Sequence, residues 1–232
     1  MMRALVQMEG AIVKLRLVAE QLRRPHGFLG GIAGMVMERR NRGPNEWTLD
    51  LLDIQATDAI LEVGFGPGQG IKRAATLASR GTVAGVDFSK RMVSQARRRN
   101  AAAVTSGSVA LCLGDTRSLP YRDSVFDKVL GVNILYFWDD PIVHLKELRR
   151  VLKPGGRLAL YFVDEEELIR LPIVDPRVFR LHSSGEAVRL LSEAGFGDSR
   201  CETKRMSRRE TGVCAVGENR EAAAAAETSA AG

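Results

Sequence analysis

The chain has 232 residues, 45% of them hydrophobic and 27% charged, with a net charge of +6. That balance suits one sizeable globular domain with appendages and excludes fibrous repeats or disorder throughout. No run of about 18 apolar residues occurs, and Glu9, Lys14 and Arg16 interrupt the first apolar stretch, so neither a membrane span nor a secretory signal is expected and the protein is predicted to be cytoplasmic.

Leu5, Met8, Ile12, Leu15, Ala19 and Leu22 alternate spacings of three and four, which predicts an amphipathic helix over residues 3–24, ended before Pro25. It is expected to pack on its own domain, with a homodimer contact or a membrane-surface helix left open. Residues 1–45 carry eight Lys and Arg against three Glu, so the basic character belongs to this N-terminal segment. A glycine-rich link, Gly27-Phe28-Leu29-Gly30-Gly31, leads to a short helix with Arg39, Arg40 and Arg42, then to a separate helix through Trp47, Leu51 and Leu52. From Asp58 onward short apolar runs alternate with helical patterns, as βα units of a parallel sheet do. Strands are predicted over 59–63, 82–86, 109–113, 126–132 and 157–163, and helices over 70–79, 89–100 (capped by Ser89), 141–152 and 184–194. Two closely spaced strands, 200–204 and 212–216, read as an antiparallel pair. The expected division is a helical lid over 1–45, a main domain over 46–217 and a disordered tail over 218–232. Cys112, Cys201 and Cys214 are odd in number and lack a CxxC spacing; they read as small buried hydrophobes, with no metal site expected.

The most informative stretch is Glu62-Val63-Gly64-Phe65-Gly66-Pro67-Gly68, where a buried strand runs into a turn with glycine at every second position. Such a turn lets backbone groups approach a ligand at the carboxyl end of a strand, beside the positive end of the next helix. The dinucleotide fingerprint GxGxxG fails, because Gln69 or Ile71 stands where its third glycine belongs. Glu62 suits a cationic ligand better than a pyrophosphate. S-adenosylmethionine, with its sulfonium, ammonium and carboxylate, matches that mixture. Asp87 ends the second strand, where a carboxylate can accept both ribose hydroxyls at about 1.5–3 kcal/mol per charge-assisted bond. Asp115, in Gly114-Asp115-Thr116 after the third strand, can accept the exocyclic amine of adenine.

With Val86-Asp87-Phe88-Ser89, Leu119-Pro120, Phe126-Asp127 and the run Leu148–Gly156, these residues resemble the class I S-adenosylmethionine-dependent methyltransferases, in particular the subgroup of quinone-biosynthesis and other small-molecule enzymes. The resemblance covers about residues 45–217. It implies an α/β, Rossmann-like, seven-stranded, mostly parallel sheet with an antiparallel last strand, helices on both faces and the N-terminal segment as a lid. It further implies that Gly64, Phe65, Gly66 and Gly68 hold the methionine moiety with Glu62 near its ammonium. Asp87 takes the ribose, Phe88 and Met92 pack on adenine, and Asp115 with Thr116 reads its edge. Asn133, Ile134 and Leu135 lie beside the transferring methyl.

In methyl transfer the cofactor supplies the chemistry and the protein supplies alignment, so a base is optional. Candidate bases are His26, Tyr136, Tyr161 and His182, with His144 ranked below them because it lies within the helix before Leu145-Lys146-Glu147. Phe28, Trp47, Tyr136, Phe137, Trp138 and Phe179 are candidates for a small-molecule acceptor pocket. Asn133-Ile134-Leu135-Tyr136 lacks the prolines of amino-methyltransferases acting on nucleic acid, and no basic track interleaved with aromatics is visible, so no nucleic-acid partner is expected. A non-catalytic cofactor-binding protein, an RNA modifier and a nicotinamide-dependent oxidoreductase are the competing readings.

Overall fold

The computed structural model describes residues 29–171, 174, 175, 177–207 and 210–220, with side chains from Arg39 onward. The helix expected over 3–24, His26, Phe28 and the tail from residue 221 lie outside the described residues.

The first described element is one continuous helix, α1 (Leu29–Leu51), where a glycine link and two shorter helices were expected. Gly30, Gly31 and Pro44 lie inside it. A proline removes one hydrogen bond from a helix interior. Here burial outweighs that loss: Trp47, Thr48 and Leu49 pack into the core, and Thr48 Oγ1 donates back to the Pro44 carbonyl at 2.8 Å. The helix also crosses the boundary expected at 45/46.

The alternating units follow as predicted. They are β1 (Ala59–Val63), α2 (Gln69–Leu77), β2 (Thr82–Asp87), α3 (Lys90–Arg99), β3 (Val109–Leu113) and β4 (Phe126–Val132). A short helix, α4 (Ala101–Thr105), was not anticipated between α3 and β3. Ser89 caps α3 by accepting from the Met92 amide at 3.4 Å, and Arg97, Arg98 and Arg99 occupy its last turn, where the helix dipole favours cations. After α5 (Pro141–Val151), β5 (Leu152–Val163) begins five residues earlier than expected: Phe126 pairs with Leu152, and the strand bulges through Lys153–Gly156 before Lys128 pairs with Arg157. The chain then passes α6 (Glu165–Leu168) and α7 (Ser184–Glu193), which stops at Gly195 with φ +91°. It ends in β6 (Gly197–Ser207) and β7 (Glu210–Glu218).

The strands form one seven-stranded sheet in the order β3-β2-β1-β4-β5-β7-β6, parallel except for β7, which runs antiparallel to both neighbours. The expected reversed last strand is present, inserted between β5 and β6. Strand β1, the second half of β4 and residues 158–163 of β5 are buried almost throughout, as central strands of such a sheet are. The edge strand β6 alternates with polar residues outward. Helix α1 packs against α2, β4, β5 and β7, whereas α7 packs on β6 and β7. Cys214 is buried, but Cys112 and Cys201 are only half-buried. No helix among the described residues is long and apolar enough to cross a membrane.

The order reverses direction between β1 and β4, and an open α/β sheet leaves a crevice at the carboxyl ends of its strands at that point. The glycine turn after β1, the end of β2 and the end of β4 converge there.

Candidate functional site

The turn from β1 to α2 takes its shape from three left-handed glycines: Gly64 (φ +65°), Gly66 (φ +52°) and Gly68 (φ +81°). A Cβ on Gly64 would lie 2.5 Å from Ile134 Cγ2, so the turn and the end of β4 approach as closely as a bare backbone allows. Asp87, at the end of β2, stitches the turn down. Its Oδ2 accepts from the Gly66 amide at 2.9 Å and its Oδ1 from the Ser89 amide at 2.8 Å. Burial pushes its pKa up to about 6, against the pull of those two amides, and the carboxylate keeps lone pairs facing the crevice.

A cleft of about 330 Å³ opens over these strand ends. Of the residues expected to hold a cofactor, Gly64, Asp87, Phe88, Asp115, Thr116 and Ile134 line it, together with Phe137 and Trp138 from the acceptor candidates. Phe88 is 40% exposed at its mouth, an unusual state for a phenylalanine and one that suits a flat ligand. Arg117 grips Asp115 with Nε and Nη2, holding that carboxyl below its ordinary pKa and therefore ionised.

His144 also lines this cleft. Its ring stacks on Trp138 with centroids 4.6 Å apart and planes within 5°, and its Nδ1 lies 2.5 Å from Thr116 Oγ1. Burial, partly offset by Asp115, lowers its pKa to about 4, so the ring is neutral at pH 7. The sequence did carry a cue to its place: His144 follows the helix start at Pro141 by one turn, at the end of α5 nearest the strand tips.

Behind the turn lies a second cavity of about 20 Å³, lined by Asn41, Asn45, Glu62, Gly64, Phe65, Gly66, Pro67, Gln69 and Val132. Among the described residues the side-chain oxygens buried without a hydrogen-bond partner are Asn45 Oδ1, Glu62 Oε2 and Gln69 Oε1, and all three belong to this cavity. Unpaired buried acceptors are costly unless a ligand supplies the donor. Gly70 makes room for Glu62: a Cβ there would sit 2.4 Å from Glu62 Oε1. Burial, reinforced by the negative charge of Asp87, raises the Glu62 pKa to about 8, so a cation placed beside it would return it to the ionised form.

Other expected residues lie elsewhere. Met92 (1% exposed) and Leu135 (2% exposed) are core side chains outside both cavities. Asn133 takes a left-handed φ of +59° directly after β4. It donates from Nδ2 to Asn41 Oδ1 at 2.9 Å and accepts from the Tyr136 hydroxyl on Oδ1. Burial drives the Tyr136 and Tyr161 phenols far above their ordinary pKa, and Tyr161 donates to Glu210 at 3.3 Å, so neither hydroxyl is equipped to take a proton at pH 7. His182 is buried with Nδ1 3.4 Å from Glu186 and lines neither cavity. Trp47 packs edge-on against Tyr161, and Phe179 joins Tyr136 and Phe137 in an aromatic cluster. Asn41, Asn45 and Gln69 were not anticipated. The first two come from a helix distant in sequence, and their one legible sign is their spacing of four on the face that also buries Thr48 and Leu49.

A family model described as a methyltransferase domain matches residues 61–160. The chain is 37% identical over 129 residues to the uncharacterized methyltransferase YdaC of Bacillus subtilis (strain 168), a match covering 56% of this chain and 69% of YdaC. It is 36% identical over 110 residues to the 27-O-demethylrifamycin SV methyltransferase of Amycolatopsis mediterranei (strain S699), across 47% of this chain and 40% of that enzyme. The chain therefore spans about two fifths of this relative's length. In fold it resembles a SAM-dependent methyltransferase from Aquifex aeolicus, with a TM-score of 0.61 at 22% identity over 74% of this chain and 88% of that one.

Proposed function

Because the chain belongs to the class I S-adenosylmethionine-dependent methyltransferases, we propose that it methylates a small organic molecule, with the adenosine of the cofactor in the larger cleft and its amino-acid end in the smaller cavity. The residues fit that cofactor on one observation above all: three unpartnered acceptors, Asn45 Oδ1, Glu62 Oε2 and Gln69 Oε1, surround a cavity of ammonium size, next to a cleft walled by Asp87 and Asp115. When bound, the cofactor supplies an electrophilic methyl carbon already activated by its sulfonium.

The rest is done by the chain. Asp87 accepts ribose hydroxyls on the lone pairs that Gly66 and Ser89 leave free. Asp115, kept ionised by Arg117, accepts the adenine amine, while Phe88 and Ile134 flank the ring. Glu62 neutralises the ammonium. The acceptor approaches on the side of Asn133, Tyr136 and Tyr161, beneath α1, where the phenols keep their protons and donate them to Asn133 and Glu210. Alignment and exclusion of water then carry the rate, without a dedicated tyrosine base. The named activity of the rifamycin relative supports a small organic acceptor of this kind. Incubation with cofactor labelled in its methyl group and a fractionated cell extract tests the proposal: label should move to a low-molecular-weight fraction, and label found in RNA or protein, or not transferred at all, would refute it.

A further inference from the structure

Asn41 and Asn45 stand four residues apart on α1 and both line the small cavity, but their amides are in different states. Asn41 Oδ1 is satisfied by Asn133 at 2.9 Å, and Asn133 is in turn held by Tyr136. These bonds, with the Arg40–Glu210 ion pair at 3.0 Å, fix α1 against the ends of β4 and β7. Asn45 is only 7% exposed, and its Oδ1 has no partner. It faces a space shared with Glu62 Oε2 and Gln69 Oε1, so with Glu62 in the ionised form that a cation favours the cavity offers three acceptors. Water has two hydrogens to give and an alkylammonium has three. The count matches the alkylammonium.

We propose that Asn45 is the third acceptor for the cofactor's α-ammonium, which makes α1 a wall of the cofactor site in addition to a cover for the acceptor. The inference rests on the cofactor assignment made above and extends it to a residue outside the glycine turn. It also ties the seating of α1 to the amino-acid end of the ligand, since the side chain that meets the ammonium and the one that bonds Asn133 lie on a single helical turn.

Three ligands separate the possibilities by calorimetry: S-adenosylhomocysteine, its analogue with hydrogen in place of the ammonium, and 5'-methylthioadenosine, which lacks the amino-acid part. In Asn45→Leu the affinity for S-adenosylhomocysteine should fall by about tenfold or more, while the other two ligands bind within about twofold of wild type. Equal loss for S-adenosylhomocysteine and the desamino analogue, or no loss for either, would overturn the role of Asn45. Failure of wild type to bind S-adenosylhomocysteine would instead remove the cofactor assignment, and the inference with it. Should the variant not fold, the side-chain amide resonance of Asn45 in wild type decides the matter. It should shift with S-adenosylhomocysteine and not with the desamino analogue, and an identical response to both would overturn the proposal.

Discussion

Replacing Glu62 by Gln should make the protein more stable and its cofactor binding weaker, two effects of opposite sign from one buried carboxyl. The fold holds the Glu62 pKa at about 8, against 4.5 for an ordinary glutamic acid. Above pH 4.5 the unfolded chain sheds this proton while the folded chain keeps it, so the folded state binds more protons and stability declines as pH rises from 4.5 to about 8. At pH 7 the accumulated cost is about 3 kcal/mol, from about 1.4 kcal/mol per pH unit; near pH 5 it is below about 1 kcal/mol. Gln keeps the volume and removes the titration. Urea unfolding should therefore show Glu62→Gln more stable by up to about 3 kcal/mol at pH 7, or roughly 5–10 °C in Tm, with the gain shrinking toward zero near pH 5. Calorimetry on the same variant should show S-adenosylhomocysteine binding weakened by about tenfold or more, through loss of a charge-assisted bond to the ammonium. A gain independent of pH, or a loss of stability at pH 8, would refute the assignment of a buried, strained carboxyl.

The binding of S-adenosylhomocysteine by wild type should tighten between pH 6 and 8 and release close to one proton at pH 7, because an ammonium beside Glu62 favours its ionised form; calorimetry in buffers of different ionisation enthalpy measures this. Asp87→Ala should weaken both S-adenosylhomocysteine and 5'-methylthioadenosine by about tenfold or more, since the proposed ribose contact and the anchoring of the Gly66 amide both depend on this carboxylate; unchanged affinity would remove it from that role. Gly70→Ala should displace the Glu62 carboxyl that its new Cβ would meet at 2.4 Å, weakening S-adenosylhomocysteine while sparing 5'-methylthioadenosine, and equal loss of both would count against the cavity as an ammonium site. Tyr161→Phe should leave the pH profile of methyl transfer unmoved and change kcat by less than about fivefold, as expected of a hydroxyl that donates to Glu210; loss of the limb on which the rate rises with pH would restore the tyrosine as a base.

What could be read from the residues alone was whatever depends on neighbours in sequence. Val109–Leu113 and Phe126–Val132 are short apolar runs with turn residues at each end, and both strands occur with the expected bounds. The glycine turn and Asp87 were legible for the same reason, because backbone conformation and strand-end position are local properties. Helix α1 was not, since Gly30, Gly31 and Pro44 all argue locally against a helix that the burial of Trp47 and Leu49 against a distant sheet makes favourable. The place of Asn45 was missed with it, since this side chain meets Glu62 in the small cavity only once the helix packs against the glycine turn. The tyrosines looked like bases because a phenol near an acceptor is chemically suggestive, and only burial shows why they retain their protons.

The place of β7 carries a consequence for synthesis. Because it slots between β5 and β6, the middle of this half of the sheet leaves the ribosome after both of its flanks. Until Glu210–Glu218 emerge, β5 presents a raw edge beside Tyr161 and Phe162, and the Lys153–Gly156 bulge lacks the Asn219 amide that later ties it down through the Leu152 and Lys153 carbonyls. Nascent chains halted just short of that strand are the form of this protein most exposed to mispairing and most in need of a chaperone.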